Sequence, residues 1–471
     1  MMVRLIMLLL GILPLVLHAQ KRPNIIFILA DDLGYGDLGV YGQQYIHTPH
    51  LDQLAAEGMR FTQFYAGTTV CAPSRSSLLT GQHTGHTYVR GNKEIQPEGQ
   101  EPLADSVQTF AQLLQRAGYV TGAFGKWGLG MVGTSGAPNR KGFDEFFGYN
   151  CQRQSHRYYP THLWHNSEKV ILDGNDLSQQ VHYAPALIQQ KTLAFIENHK
   201  DSSFFLFIPT VLPHAELQGP EDEYYRQYEH AFDETPYQGN DYGPEATVAG
   251  YASVAKPRAT FAAMVSRMDA YVGQVLDKLD ELGLTNNTLV IFSSDNGPHQ
   301  EGGADPEFFN SAGGLRGVKR DLYEGGIRTP LIVRWPSRIT SGSVSEHIGA
   351  FWDIMPTLVE LIGAPQPHYT DGISFLPTLL DRGKQYKHGY LYWEFHEGGG
   401  KQAVRKGNWK GIRLDAKANP DARLALYDLQ ADPAETTDVA SEHSEIVEQL
   451  TQLMSEAHQE SAIFPLFSVM P

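Results

Sequence analysis

The chain has 471 residues, with 37 Lys and Arg against 53 Asp and Glu, a formal net charge of −16, 41% hydrophobic and 11% aromatic residues. This aromatic content excludes a disordered chain, and only two cysteines, Cys71 and Cys151, exclude a disulfide scaffold. The acidic balance argues against nucleic-acid binding and against a basic membrane-surface patch, each of which needs a local excess of cations.

At the N-terminus Arg4 precedes an apolar run, Leu5 to Leu17, followed by His18-Ala19-Gln20. A spanning helix needs about 20 apolar residues, so the run is too short to cross a bilayer. A basic start, a short apolar stretch and a small residue at its exit read as a signal peptide over residues 1–20. The expectation is a periplasmic or secreted protein without a membrane span. Two cysteines in an exported chain raise the default hypothesis of one disulfide.

The next elements alternate between strand and helix. Ile25 to Ala30 is a continuous apolar run, expected of a strand buried on both faces, and it stops at Asp31-Asp32. Val107, Phe110, Leu113, Leu114 and Ala117 have helical spacing, and a strand from Tyr119 to Phe124 leads into Gly125-Lys126-Trp127. Phe204 to Ile208 leads to Pro213-His214, and a long apolar stripe from Phe261 to Leu282 stops at Gly283. Leu289 to Phe292 ends in Ser293-Ser294-Asp295-Asn296, and Leu331 to Val333 forms a fifth strand. The pattern predicts an α/β fold with a large, mostly parallel sheet flanked by helices, whose strand ends carry the polar groups. From Tyr390 the texture shifts to short strands and a final helix around Glu445 to His458, a small α+β appendage. The expected division is a catalytic domain over 21–388 and a C-terminal subdomain over 389–471.

One segment concentrates the chemistry. Val70-Cys71-Ala72-Pro73-Ser74-Arg75 opens a helix, so Cys71 and Arg75 share a face. A thiol at a helix start beside an arginine is expected to have a lowered pKa and to face an anion site. Asp31, Asp32, Asp295 and Asn296 are hard oxygen ligands that favour Ca²⁺ or Mg²⁺. A thiolate is a poor partner for such an ion, which suggests that residue 71 does not stay a cysteine.

Cys71-Ala72-Pro73-Ser74-Arg75 with Leu78-Leu79-Thr80-Gly81 resembles the signature of the formylglycine-dependent sulfatases of the alkaline phosphatase superfamily. Pro23 to Asp32, Thr48 to Gly58, Ser294 to Gly297 and Leu315 to Pro330 resemble further blocks of that family, so the likeness spans nearly the whole mature chain. The resemblance implies that a maturation enzyme oxidises Cys71 to formylglycine, which joins Asp31, Asp32, Asp295 and Asn296 as a ligand of Ca²⁺. A hydroxyl of the hydrated aldehyde would attack sulfur, and the second hydroxyl would let the sulfated intermediate collapse. Arg75, Lys126 and Lys319 would neutralise the sulfate oxygens, and His214 would protonate the departing sugar oxygen. Cys71 would then be consumed, leaving Cys151 as an unpaired buried thiol.

The chain departs from the family text at one position. Many members read Gly-Lys-Trp-His, whose histidine contacts the hydrate, where this chain reads Gly125-Lys126-Trp127-Gly128. The vacancy is open to His83, His86 or His299, to Asp295, or to water. Gly-Lys-Trp-Gly-Leu-Gly resembles a subgroup of bacterial carbohydrate sulfatases, as do the segments Asn150 to Gln154 and Tyr158 to Trp164. That likeness leans toward 4-O-sulfated galactose or N-acetylgalactosamine as substrate, cleaved by an exo-acting enzyme. Arg90, Asn92, Arg153, His156, His162 and His299 are candidate sugar contacts. The competing readings are a phosphodiesterase or phosphonate monoester hydrolase of the same superfamily, and a non-catalytic binder of sulfated glycans.

Overall fold

The computed structural model describes residues 22–241, 250–367 and 369–467; the signal peptide read over residues 1–20 lies outside them. Ten strands form the main sheet: β1 (Asn24–Ala30), β2 (Met59–Phe61), β3 (Val120–Lys126), β4 (Glu145–Tyr149), β5 (His162–His165), β6 (Glu168–Ile171), β7 (Phe204–Pro209), β8 (Thr288–Ser294), β9 (Leu331–Arg334) and β10 (Ser343–Ser345). Their spatial order is β10-β2-β9-β8-β1-β7-β3-β4-β5-β6. The five central strands, β8, β1, β7, β3 and β4, are mutually parallel. Antiparallel pairing begins at β9 on one side and at β5 on the other. The expected fifth strand is therefore present, but it runs against its neighbour.

Strand β1 explains its own sequence. Ile26, Ile28 and Ala30 pack into one core with Phe261, Met264, Val265 and Met268 of the long helix Pro257–Glu281. Ile25, Phe27 and Leu29 pack on the opposite face with Phe110 and Leu114 of Phe110–Arg116 and with Met355 and Leu358 of Ile354–Leu361. A strand covered on both faces has no polar side to present, hence the unbroken apolar run. Burying each large side chain contributes roughly 1.5–3 kcal/mol. The helix before β3 starts at its capping box, Thr109 with Gln112, so Val107 falls just outside it.

The C-terminal antiparallel sheet comprises β11 (Leu391–Phe395), β12 (Lys401–Lys406), β13 (Trp409–Arg413) and β14 (Ala425–Asp428), packed against the helix Ser444–Ala457. A buried ion cluster fastens this sheet to Tyr65 and to the segment between β8 and β9. Lys410 Nζ lies 2.9 Å from both Glu324 and Glu435, Arg328 is 2.5 Å from Glu324, and Tyr65 donates to Glu324 at 2.7 Å. Glu324 belongs to the Tyr-Glu-Gly-Gly-Ile-Arg block, so that part of the sequence signature serves cohesion.

Candidate active site

The carboxyl ends of the parallel strands bring the polar residues together. Strand β1 ends in Asp31 and Asp32, β8 in Asp295 and Asn296, β3 in Lys126, and the loop after β7 carries His214. The helix α1 (Cys71–Thr80) enters this cluster with Cys71 and Arg75, and a loop supplies Lys319. All nine residues are buried.

Acids and cations alternate across the site. Arg75 donates from Nε and one terminal nitrogen to Asp295 Oδ2 at 2.9 and 2.8 Å, and lies 3.3 Å from Asp31. Its other terminal nitrogen donates to the Lys126 carbonyl at 2.5 Å. Lys126 Nζ is 2.7 Å from Asp31, and Lys319 Nζ is 2.8 Å from Asp32. Cys71 Sγ lies 3.8 Å from Asp32 Oδ1. Burial and the neighbouring Asp31 and Asp32 push Asp295 up to about 7 despite Arg75. Burial works to raise Asp31 as well, but Lys126, His214 and Arg75 hold it below the ordinary range.

This donor set suits a hard divalent cation. Asn296 Oδ1 is buried and accepts no hydrogen bond, and Asp31 Oδ1 has only the Arg75 guanidinium 3.3 Å away, so both oxygens are open to a ligand. Asn296 Nδ2 donates to Asp32 Oδ1 at 2.7 Å, which leaves its oxygen as the free ligand atom.

The expected lowering of the Cys71 pKa is corrected. Burial drives this thiol well above its ordinary value, and the three aspartates oppose Lys126 in the same direction. The helix start does face the cluster, but burial of the thiol dominates there. The N-terminus of α1 is capped from elsewhere: Asn92 Oδ1 accepts the Ala72 N–H at 3.1 Å. Asn92 thus positions the helix that carries residue 71.

The histidines sort into separate groups. His214 stacks between His156, with ring centres 4.8 Å apart, and His299 at 5.8 Å. Its Nδ1 bonds the Ala215 carbonyl, and its Nε2 lies 3.1 Å from Lys319 Nζ. Burial, then Lys319, lowers His214 to about 4. His83 and His86 lie beyond the opposite end of α1, beside Asp371, so neither reaches the vacancy at Gly128. His299 is occupied by its stack and by the Pro213 carbonyl at 3.3 Å.

Of the remaining candidates, Arg90 is corrected from a sugar contact to a bracing residue. It is buried and donates to the carbonyls of Thr87 and Gln459 at 2.9 and 2.5 Å. Arg153 pairs with Glu94 at 2.5 Å on the wall of a cavity of about 200 Å³ that Glu98, Gln154, Arg157 and Thr161 also line. His162 is tied to Glu98 at 2.8 Å behind that wall. Cys151 is a free buried thiol, raised by burial to about 12, and Cys71 is likewise free. Sequence reasoning missed Glu301, which lies 3.1 Å from Lys319 and accepts from Tyr251 at 2.7 Å. No motif marks it; only the loop folding back shows it. Asn150 and Gln152, just beyond β4, were also passed over as individual residues, although their segment resembled the carbohydrate-sulfatase subgroup.

Comparison with known proteins agrees with this geometry. The sulfatase family model matches residues 23–364, and a model of the C-terminal part of N-sulphoglucosamine sulphohydrolase matches residues 317–460. Human arylsulfatase A is 33% identical, the alignment covering 93% of this chain and 88% of the relative. An N-acetylgalactosamine-6-O-sulfatase of Bacteroides thetaiotaomicron is 30% identical, over 92% of this chain and 93% of the relative. A solved structure from work on the metabolism of multiple glycosaminoglycans by Bacteroides thetaiotaomicron superposes with a TM-score of 0.75 at 27% identity, covering 93% of this chain and 99% of that one. With the strand-end site, the family match and these relatives in agreement, the chain belongs to the sulfatase family and is a sulfuric ester hydrolase on the alkaline phosphatase-like fold.

Proposed function

We propose that this protein is an exported carbohydrate sulfatase, dependent on Ca²⁺ and on conversion of Cys71 to formylglycine by a maturation enzyme, that releases sulfate from galactose or N-acetylgalactosamine by S–O cleavage. The observation that carries the reading is the charge count of the buried site. Asp31, Asp32 and Asp295 balance Arg75, Lys126 and Lys319, so a bound divalent cation leaves two positive charges in excess, matched to an anionic ester. The carbohydrate class is supported by the N-acetylgalactosamine-6-O-sulfatase among the relatives. The residue motifs favour the 4-O position, and the 6-O position of that relative is the competing outcome. Export rests on the residues before Lys21; no helix among the described residues is long and apolar enough to cross a membrane.

Asp31, Asp32, Asp295 and Asn296 would hold the cation beside residue 71. Together the cation and the hydrated formylglycine supply an activated hydroxyl nucleophile. The chain's own side chains do the remaining work. Arg75 is fixed by three hydrogen bonds, so it meets the sulfuryl oxygens without reorganising. Lys126 and Lys319, each already held by one aspartate, flank the same space. Lys319 donates to His214 Nε2, and this pair shares the proton that the leaving sugar oxygen takes up. His156 and His299 keep the His214 ring in place by stacking.

The test pairs peptide mass measurement of residue 71 with sulfate release from 4-O- and 6-O-sulfated galactose and N-acetylgalactosamine, with and without Ca²⁺. Release by the converted protein, abolished by Cys71→Ala and by chelation, is the expected result. Converted, Ca²⁺-loaded protein that releases no sulfate from any of them, or that cleaves phosphodiesters instead, overturns the reading.

A further inference from the structure

Gly128 has φ +75°, a left-handed conformation that favours glycine, and a Cβ placed there would come 2.3 Å from Nε2 of Gln152. The Gln152 carboxamide thus fills the volume that a side chain at 128 would enter. Its backbone is pinned: the N–H donates to Gln100 Oε1 at 2.8 Å, and the carbonyl accepts from Ser155 Oγ at 2.6 Å. The side chain is not. Gln152 is 6% exposed, yet its Nε2 has no hydrogen-bond partner among the described residues. Both amide atoms of Asn150 and Nε2 of Gln100 are in the same state. An unpaired buried polar group costs about 1–3 kcal/mol, so several at one place point to a partner outside the chain.

The surroundings identify that partner. Strand β4 is the fifth of the parallel strands, and its last residue, Tyr149, is in register with Lys126. Beyond it the two chains stay zipped, Trp127 N–H to the Tyr149 carbonyl at 3.0 Å and Gly128 N–H to the Asn150 carbonyl at 3.1 Å. The other four parallel strands lead to Asp31 and Asp32, Asp295 and Asn296, Lys126 and His214. Carboxamide donors at the fifth end, tied to the segment that carries Lys126, suit an anion rich in acceptor oxygens.

We propose that Gln152, backed by Asn150, is a sulfate-binding residue, whose Nε2–H donates to a sulfuryl oxygen beside residue 71. This rests on the sulfatase reading above. A carboxamide neither takes up nor releases a proton, so Gln152 orients the group and contributes no titrating step.

The experiment is calorimetric titration of inorganic sulfate into the Ca²⁺-loaded wild type, Gln152→Ala and Gln152→Glu, with thermal unfolding of each. Gln152→Ala is expected to weaken sulfate binding about 10- to 100-fold, as for a hydrogen bond to a charged group. Gln152→Glu keeps the shape but presents a carboxylate, and is expected to abolish binding in the folded protein, with a lower unfolding midpoint because the new charge is buried. It carries the test should the alanine variant unfold. Sulfate affinity unchanged in folded Gln152→Glu overturns the assignment while leaving the sulfatase reading intact. A wild type that neither binds sulfate nor releases it from esters fails the sulfatase reading itself.

Discussion

Two buried charge clusters, the strand-end cleft and the junction with the C-terminal sheet, use the same residue types to opposite ends. In the junction Lys410 sits between Glu324 and Glu435 at 2.9 Å from each, and Arg328 and Tyr65 complete the coordination of Glu324. Each carboxylate there faces a cation: burial of Glu324 is outweighed by Lys410 and Arg328 so that it stays ionised, while burial raises Glu435 despite Lys410. In the cleft, Arg75, Lys126 and Lys319 are likewise paired with acids, but Asn296 Oδ1 accepts nothing, Asp31 Oδ1 has only Arg75 at 3.3 Å, and Asp295 is pushed up to about 7. The difference lies in what faces the oxygens: Glu435 Oε1 has the Lys410 ammonium at 2.9 Å, which contributes cohesion, whereas Asn296 Oδ1 has no cation or donor and is open to a ligand.

The comparison is broken most directly at Lys410. Lys410→Met strands two buried carboxylates and is expected to cost about 3–5 kcal/mol in denaturant unfolding. Turnover per folded molecule stays at the wild-type level; a variant that keeps its stability and loses activity would reverse the roles assigned to the clusters. In the cleft, Lys319→Met is expected to lower kcat/KM for sulfate release by about 10²–10³, the cost of losing one preorganised donor. The same variant keeps its thermal stabilisation by added Ca²⁺, because the oxygen ligands remain; loss of that response would show that Lys319 supports the metal site rather than the ester.

A third cluster sharpens the contrast through pH. Burial works to raise Glu394, but hydrogen bonds from His396 and His458 outweigh it and hold the carboxyl at about 2. Its folded pKa is depressed, so its stabilisation is present above the unfolded value near 4.5 and is lost as pH falls toward 2. The amount is about 3 kcal/mol. Unfolding free energies measured across that window should fall more steeply for wild type than for Glu394→Gln. Equal slopes would place the acid sensitivity elsewhere, for instance in the cleft aspartates.

The central fold was legible because its strands announce themselves. Ile25 to Ala30 reads as a strand covered on both faces, and it is one; the abrupt change to Asp31-Asp32 marked the ligand-binding edge. The Cys71 to Arg75 spacing gave one helical face, and α1 presents it to the cluster. The direction of Leu331 to Val333 was not legible, since strand sense depends on the connection rather than on local pattern. The raised Cys71 pKa was not legible because the helix terminus is a local feature, while the burial that raises the thiol, and Asp31, Asp32 and Asp295 that add to it, come from segments 39 to 224 positions away in the chain.

By itself, then, the sequence determined the parallel α/β sheet, the residues at its carboxyl edge and the family signature around Cys71, all set by short-range pattern. Only the tertiary structure decided what each polar group faces. It turned Arg90 and Asn92 inward as supports, removed His83 and His86 to the far end of α1, and put Gln152 into the space left by Gly128. The physical reason is that hydrogen bonding and burial are satisfied between segments distant in the chain, and no local spacing records which buried donors remain unpaired.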